Sequence, residues 1–426
     1  MSGSHRLSRP SRRCPPSGIN GLDAAPPDGG PPPPPDGRPS APILVRRFAR
    51  RTTPVAALRR WLTHDPQRCC ALMNEDPMKA LTYYGRGGDG RGDFRVEDVP
   101  EPTVVPGTVK IDVEWCGICG SDLHEFEADT VSGYSPPVIL GHEFAGTVSA
   151  VGEGVDHVKV GQPVAIEPFM YCQTCEFCVT GDYHVCRDLS VVGVHLVGGG
   201  FAEQALVPAY TVHALPESVP LDIGALVEPI TVGWHGMRKG NFGPGQTALV
   251  IGAGPIGLTT LMCAQAFGSA LTLVSVRRPG ARADAAGRLG ANAVVDSSST
   301  DVVAAVMELT NGRGVDVVFE TSGADEAMTT AIGAVRMGGT IVSLAVWLAP
   351  APCDYMQVLL KELTIVGSKG YNKPDFPEAI AAIGDGRIMG AREIVTTRIG
   401  LDEVITGGFE VLAENRSAHV KVLVAP

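Results

Sequence analysis

The strand-like run Thr247–Ile251 passes directly into Gly252-Ala253-Gly254-Pro255-Ile256-Gly257, and a helical stretch follows at once. An apolar strand that must turn sharply and open a helix leaves few folds available. Gly252 permits the tight turn, Gly254 lets the backbone approach a pyrophosphate, and Gly257 allows close packing of helix on strand. The free N–H groups and the positive dipole end of the helix then favour phosphate. The run predicts a dinucleotide site made by Gly252, Gly254, Pro255, Ile256 and Gly257.

The alternation continues downstream. Strand-like runs at Leu271–Val276, 293–295, 315–319 and 340–344 are separated by helical stretches. Apolar strands spaced by helices of about 10–15 residues predict a parallel sheet covered on both faces. Upstream, from residue 78 to about 225, the pattern is short β runs with many Gly and Pro turns, such as 108–113, 145–151 and Pro163–Ile166. A strand-like run returns at 420–424. The expected architecture is α/β: a mainly β catalytic domain over 78–230 and 366–426, with a doubly wound dinucleotide domain over 231–365 inserted into it.

Residues 1–77 differ from the rest. The first 72 residues hold 12 Arg, no Lys, four Asp, no Glu and a five-proline run at 31–35. Such composition buries no core and is expected to be disordered, with at most a weak amphipathic helix at 44–62. A dispensable tail, or sequence upstream of a start at Met73 or Met78, is the preferred reading over a transit peptide. The net charge of -11 argues against a nucleic-acid partner. The lack of a breaker-free apolar run of about 18 residues argues against a membrane span.

Six of the 11 cysteines fall between Cys116 and Cys186. That clustering suggests metal ligation in a reducing, cytoplasmic compartment. Cys172, Cys175, Cys178 and Cys186 can close a tetrahedron around Zn²⁺ and leave no open position, so this is expected to be a structural site. A catalytic zinc needs an open position. Its candidate ligands Cys119, His142, Glu143 and Glu228 are scattered, and spacing alone does not join them.

The second strand of the dinucleotide domain ends at Val276 and is followed by Arg277 and Arg278, with no acidic residue between Gly257 and Asp284. NAD-binding domains usually place a carboxylate there for the ribose hydroxyls. Two guanidiniums instead suit a 2′-phosphate, which favours NADP over NAD.

Taken together, the runs GICGSDLHEF, VILGHEFAGTV, YCQTCEFCVTGDYHVC, VEPITVGWH and VIGAGPIGL resemble the zinc-containing medium-chain alcohol dehydrogenases, in the family's order and spacing. The opening MKALTYYG…FRVEDVPEP and the ending FEVLAENRSAHVKVLV are most similar to the 2,3-butanediol dehydrogenase branch, with sorbitol and threonine dehydrogenases as relatives. The resemblance covers residues 78–426. It implies a GroES-like catalytic domain with an inserted Rossmann domain, and an NAD(P)-dependent enzyme acting on a secondary alcohol or ketone. It makes Cys119 and His142 catalytic zinc ligands, with Glu143 and Glu228 sharing the remaining coordination. Ser121 and His124 become a proton relay, since a hydroxyl can both donate and accept and an imidazole titrates in a useful range. A homodimer or homotetramer is implied as well. Many butanediol dehydrogenases carry an acidic residue where Val276 stands here. The competing expectations are a polyol or threonine dehydrogenase and, from another class, a zinc-free reductase or a non-catalytic NADP-binding protein.

Overall fold

The computed structural model describes residues 73–88, 90–127, 133–195 and 198–426. The extension up to residue 72, including the expected weak helix at 44–62, lies outside the described residues.

The first part is built of antiparallel strands. β1 (Met73–Arg86) pairs with β2 (Gly92–Pro102), and its other edge meets the short β4 (Val138–Ile139). β3 (Thr108–Gly117) and β5 (Glu143–Val151) pair along almost their whole lengths. On β3, Val109, Ile111 and Val113 face one side and are buried, the period-2 pattern of a half-covered strand. β6 (Pro163–Ile166), β9 (Gln204–Pro208) and β10 (Val212–Ala214) extend this sheet, while β7 (Phe169–Met170) and β8 (Ser190–Val191) form a separate two-stranded piece. The expected runs at 108–113, 145–151 and 163–166 fall within β3, β5 and β6.

The helix Val227–Lys239 leaves this part and packs along the helix Pro255–Ala266. Next come β11 (Thr247–Ile251), β12 (Leu271–Val276), β13 (Ala293–Asp296), β14 (Val315–Glu320), β15 (Val335–Ser343) and β16 (Thr364–Gly367). They form one parallel sheet in the order β13-β12-β11-β14-β15-β16. This is the doubly wound 3-2-1-4-5-6 order, whose switch point lies between β11 and β14. All six residues of β14 are buried, as a strand covered on both faces requires. β15 begins five residues before the expected run at 340–344, because the helix Ala327–Ala334 passes straight into it. Gly338, at φ +64°, takes up the irregular register that follows.

After the helix Asp375–Gly384 the chain returns as β17 (Val395–Gly400) and β18 (Lys421–Ala425). β18 pairs with β3, so the parallel-sheet domain is an insertion between strands of one mainly β domain. No helix among the described residues is long and apolar enough to cross a membrane.

Candidate metal and dinucleotide site

Two segments bring Cys119, His142 and Glu143 together. Cys119 follows β3 and is the N-cap of the helix Gly120–Phe126. Its backbone N–H donates to Asp122 Oδ2 at 3.0 Å, which sets the turn. His142 follows Gly141, whose φ is +98° and where a Cβ would meet Cys116 Sγ and the Phe201 N at 2.7 Å. Only glycine lets the chain pass there. Glu143 opens β5 directly opposite Gly117, where a Cβ would overlap the Glu143 carboxylate. One thiol, one imidazole and one carboxylate thus offer ligand atoms within 4.8 Å of one another.

The charge around these atoms favours a cation. Burial works against protonation of His142, yet the negative charges of Asp122 and Cys119 outweigh it and hold the imidazole well above its usual range. Asp122 Oδ1 lies 3.5 Å from His142 Nδ1, where its charge acts on the imidazole without a hydrogen bond between them. Asp122 is itself fully buried and accepts from the Tyr134 hydroxyl at 2.6 Å. Glu228, in the first turn of the helix Val227–Lys239, lies outside the tight group of three but faces it. Burial and the charge of Glu143 push its carboxyl up to about 7. Lys421 Nζ, also buried, donates to Glu143 Oε2 at 2.5 Å and to the Ile118 carbonyl at 3.0 Å. The donor set and its charge fit a zinc ion with an exchangeable position.

Cys172, Cys175, Cys178 and Cys186 form a second group beside β7, around the short helix Glu176–Thr180. Their sulfurs stand 3.5 Å (Cys175–Cys178), 3.8 Å (Cys172–Cys178) and 3.8 Å (Cys175–Cys186) apart. Four thiolates about 2.3 Å from a tetrahedral zinc would be about 3.8 Å from each other. Burial raises the Cys172 thiol, but donors from Thr174 and Cys175 outweigh it and bring the thiol down to about 6. The group fits a closed zinc site.

At the Gly turn, Gly252 has φ +100° and a Cβ on Gly257 would overlap the Gly252 carbonyl. Gly254 is different. A Cβ there would stand in open space, its nearest neighbour being Arg282 Nη1 at 3.9 Å. Chain packing therefore does not demand glycine at 254, and the backbone there is open to the approach of a pyrophosphate. Pro255 and Ile256 begin the helix behind this turn. Arg277 and Arg278 are exposed just beyond the C-terminal end of β12. Arg282 is more enclosed, donates to the His419 carbonyl at 3.0 Å, and has its pKa lowered by burial and by Arg416. A partly desolvated cation beside the turn suits a phosphate.

Ser121 and His124 both lie half-buried on the helix Gly120–Phe126. Tyr134 Oη lies 3.3 Å from Ser121 Oγ, and His124 Nδ1 has no hydrogen-bond partner among the described residues. No hydrogen bond among the described residues joins Ser121 to His124. Sequence reasoning missed Asp122, Lys421, Tyr134 and Arg282. Asp122 had a signal, standing three residues after Cys119 in a capping-box position. Lys421 had none, because its partner is 278 positions away.

A metal-binding, mainly β domain carrying an inserted dinucleotide domain defines a nicotinamide-dependent oxidoreductase. The family model for the alcohol dehydrogenase GroES-like domain matches residues 105–217, and that for zinc-binding dehydrogenase matches 255–385. The (R,R)-butanediol dehydrogenase of Neisseria gonorrhoeae is 40% identical over 361 residues, covering 82% of this chain and 99% of its own. The crystal structure of 2R,3R-butanediol dehydrogenase from Bacillus subtilis matches with a TM-score of 0.75 and 36% identity, over 82% of this chain and 99% of that one. A structure described as a zinc-binding dehydrogenase from Sinorhizobium meliloti 1021, bound to NADP, matches with a TM-score of 0.75 and 32% identity, over 83% and 100%. The chain belongs to the zinc-containing medium-chain alcohol dehydrogenase family, and its similarity runs to the butanediol dehydrogenase branch. It is an NAD(P)-dependent dehydrogenase acting on CH–OH donors.

Proposed function

We propose that the protein interconverts a small vicinal diol and its hydroxyketone, such as 2,3-butanediol and acetoin, with NADP preferred to NAD. The observation that carries the reading is the convergence of Cys119, His142 and Glu143 beside a buried Glu228, in a chain 40% identical to a butanediol dehydrogenase. Cys119 and His142 would hold a catalytic zinc, with Glu143 and Glu228 completing its protein ligands, and the four-cysteine group would hold a structural one.

When bound, the metal supplies Lewis-acid chemistry that favours the ionised form of an alcohol oxygen, and the dinucleotide supplies the hydride acceptor. The chain does the rest. Asp122 keeps a negative charge beside His142, and Lys421 holds one oxygen of Glu143. The Ser121 hydroxyl can accept the substrate's proton, and His124, half-buried on the same helix, can release to water a proton that would reach it through the ribose of the bound dinucleotide. Gly254 leaves room for the pyrophosphate at the helix N-terminus. Arg277 and Arg278 supply forked donors for a 2′-phosphate. The NADP bound by the Sinorhizobium relative supports that preference.

A homodimer or homotetramer is proposed as well. β16 is the outer strand of the parallel sheet, with Ile365 exposed, and the adjoining helix Tyr355–Leu360 exposes Tyr355, Met356, Leu359 and Leu360. A second copy pairing along that edge would cover both. A cytoplasmic location is proposed from the clustering of cysteines in two candidate metal groups, which suits a reducing compartment.

The test is turnover of 2,3-butanediol, acetoin, sorbitol and threonine with each dinucleotide, alongside a metal count. The expected result is preferred turnover of the diol pair with about two zinc per chain. Cys119→Ser should keep the fold and lose activity. A zinc-free protein, or near-normal turnover by Cys119→Ser, would sink the reading.

A further inference from the structure

The four-cysteine lobe meets the active site through one short segment, residues 371–375. Tyr371, at one end, is wholly buried beside Glu228, and its hydroxyl makes no hydrogen bond among the described residues. Its ring stacks on Phe169 of β7 at 4.7 Å, immediately before the lobe. Asp375, at the other end, is fully buried. Its Oδ2 lies 2.6 Å from His235 Nδ1 and its Oδ1 lies 2.9 Å from Arg238 Nε. His235 follows Glu228 by seven residues on the helix Val227–Lys239, which places the two on one face, two turns apart. Both ends of the segment therefore bear on the helix that carries Glu228.

The middle of the segment is held by the lobe. Asn372 Nδ2 donates to Asp182 Oδ1 at 2.8 Å, and the Lys373 N–H donates to the Gly181 carbonyl at 3.2 Å. The Asn372 N–H donates in turn to Asp375 Oδ2 at 3.0 Å. A second contact runs directly from the lobe to the helix, where the His184 and His235 rings stand 5.0 Å apart. Asn372 thus bonds the lobe with its side chain and the anchor of the helix with its backbone.

We infer that Asn372, pinned by Asp182, is a positioning residue through which the four-cysteine lobe sets the place of Glu228 at the catalytic centre. The lobe then does more than stabilise its own loop. Small displacements matter at such a centre, because a misplacement of about 1 Å can cost on the order of a hundred-fold in rate. The inference rests on the proposed reading of a diol dehydrogenase with Glu228 at its metal.

The test compares Asp182→Ala, Asn372→Ala, the double variant, and the exchange of Asp182→Asn with Asn372→Asp. The readouts are kcat and KM for 2,3-butanediol, the metal count, and the visible spectrum with cobalt(II) in the catalytic site. Each single variant should keep two metals per chain, shift the cobalt bands, and lower kcat by roughly ten-fold with a smaller change in KM. The double variant should be no worse than either single one, since both remove the same link. The exchange rebuilds a hydrogen bond between the same positions and should recover most of the loss, including where a single variant folds poorly. Wild-type kcat and cobalt spectrum in the single variants, losses that add in the double variant, or an exchange without recovery would overturn the inference. A parent protein with neither diol turnover nor a cobalt spectrum would instead remove the proposed diol and metal-site reading.

Discussion

Lys421 and Glu143 form an ion pair of 2.5 Å whose side chains are each 1% exposed, and they come from the last and the fifth strand. The ammonium also feels Cys119 and Glu228, so a fixed positive charge stands behind the proposed metal ligands. Gly117 makes the pair possible, since a side chain there would occupy the same space. Removing one partner of such a pair strands the other charge in the interior. Lys421→Met is therefore expected to lose about 3–5 kcal/mol of stability once metal has been stripped by a chelator. Zinc should reduce that loss, because a cation again faces Glu143. Urea denaturation with and without zinc checks this, and a chelated variant as stable as its parent would refute it.

Gly254 should separate folding from cofactor binding. Its Cβ position meets only the tip of a flexible arginine at 3.9 Å, so Gly254→Ala is expected to melt within a degree or two of the parent. The added methyl would stand where the pyrophosphate must approach. The KM for the dinucleotide should rise by roughly ten-fold or more, equivalent to about 1.4 kcal/mol. Steady-state kinetics and a melting curve decide, and an unchanged KM would contradict the site.

Arg277 and Arg278 are exposed. Replacing both with alanine should leave stability within about 0.5 kcal/mol, as for ordinary surface positions. Each hydrogen bond lost to a 2′-phosphate would cost about 1.5–3 kcal/mol. The KM for NADP should therefore rise at least ten-fold while that for NAD barely moves. Equal effects on both dinucleotides would defeat the NADP assignment.

Asp316 predicts how stability falls in acid. Burial opposes its ionisation, but the guanidiniums of Arg313 and Arg336 and the donors of Thr247 outweigh it and hold the carboxyl well below its usual 3.8. A group depressed in the folded state stabilises above its unfolded pKa, and that contribution is lost as pH falls towards the folded value. Asp316→Asn should be less stable than the parent at neutral pH, and the gap should close progressively below about pH 4. Thermal melts from pH 3 to 7 provide the check. A gap that widens in acid would reverse the assignment.

The dinucleotide domain was legible because its signals are local. A strand, a glycine turn and a helix need only a dozen consecutive residues, and apolar strands alternating with helices declare a covered parallel sheet. The four-cysteine group was legible for the same reason, since its ligands fall within 15 consecutive positions. Cys119, His142, Glu143 and Glu228 were joined in the sequence only by resemblance, as no spacing rule connects them.

Residue order alone determined the domain types, the glycine turn and the cysteine lobe, all of which follow from short-range geometry. Tertiary structure decided what faces what. It set Lys421 against Glu143, Asp122 beside His142, Arg282 over Gly254 and Asn372 against Asp182. These contacts are made by side chains whose pairing follows from β18 returning to β3, or from the lobe docking on a distant loop. Local propensity is silent about such contacts, because strand pairing and docking place residues by the packing of whole elements rather than by their neighbours in the chain.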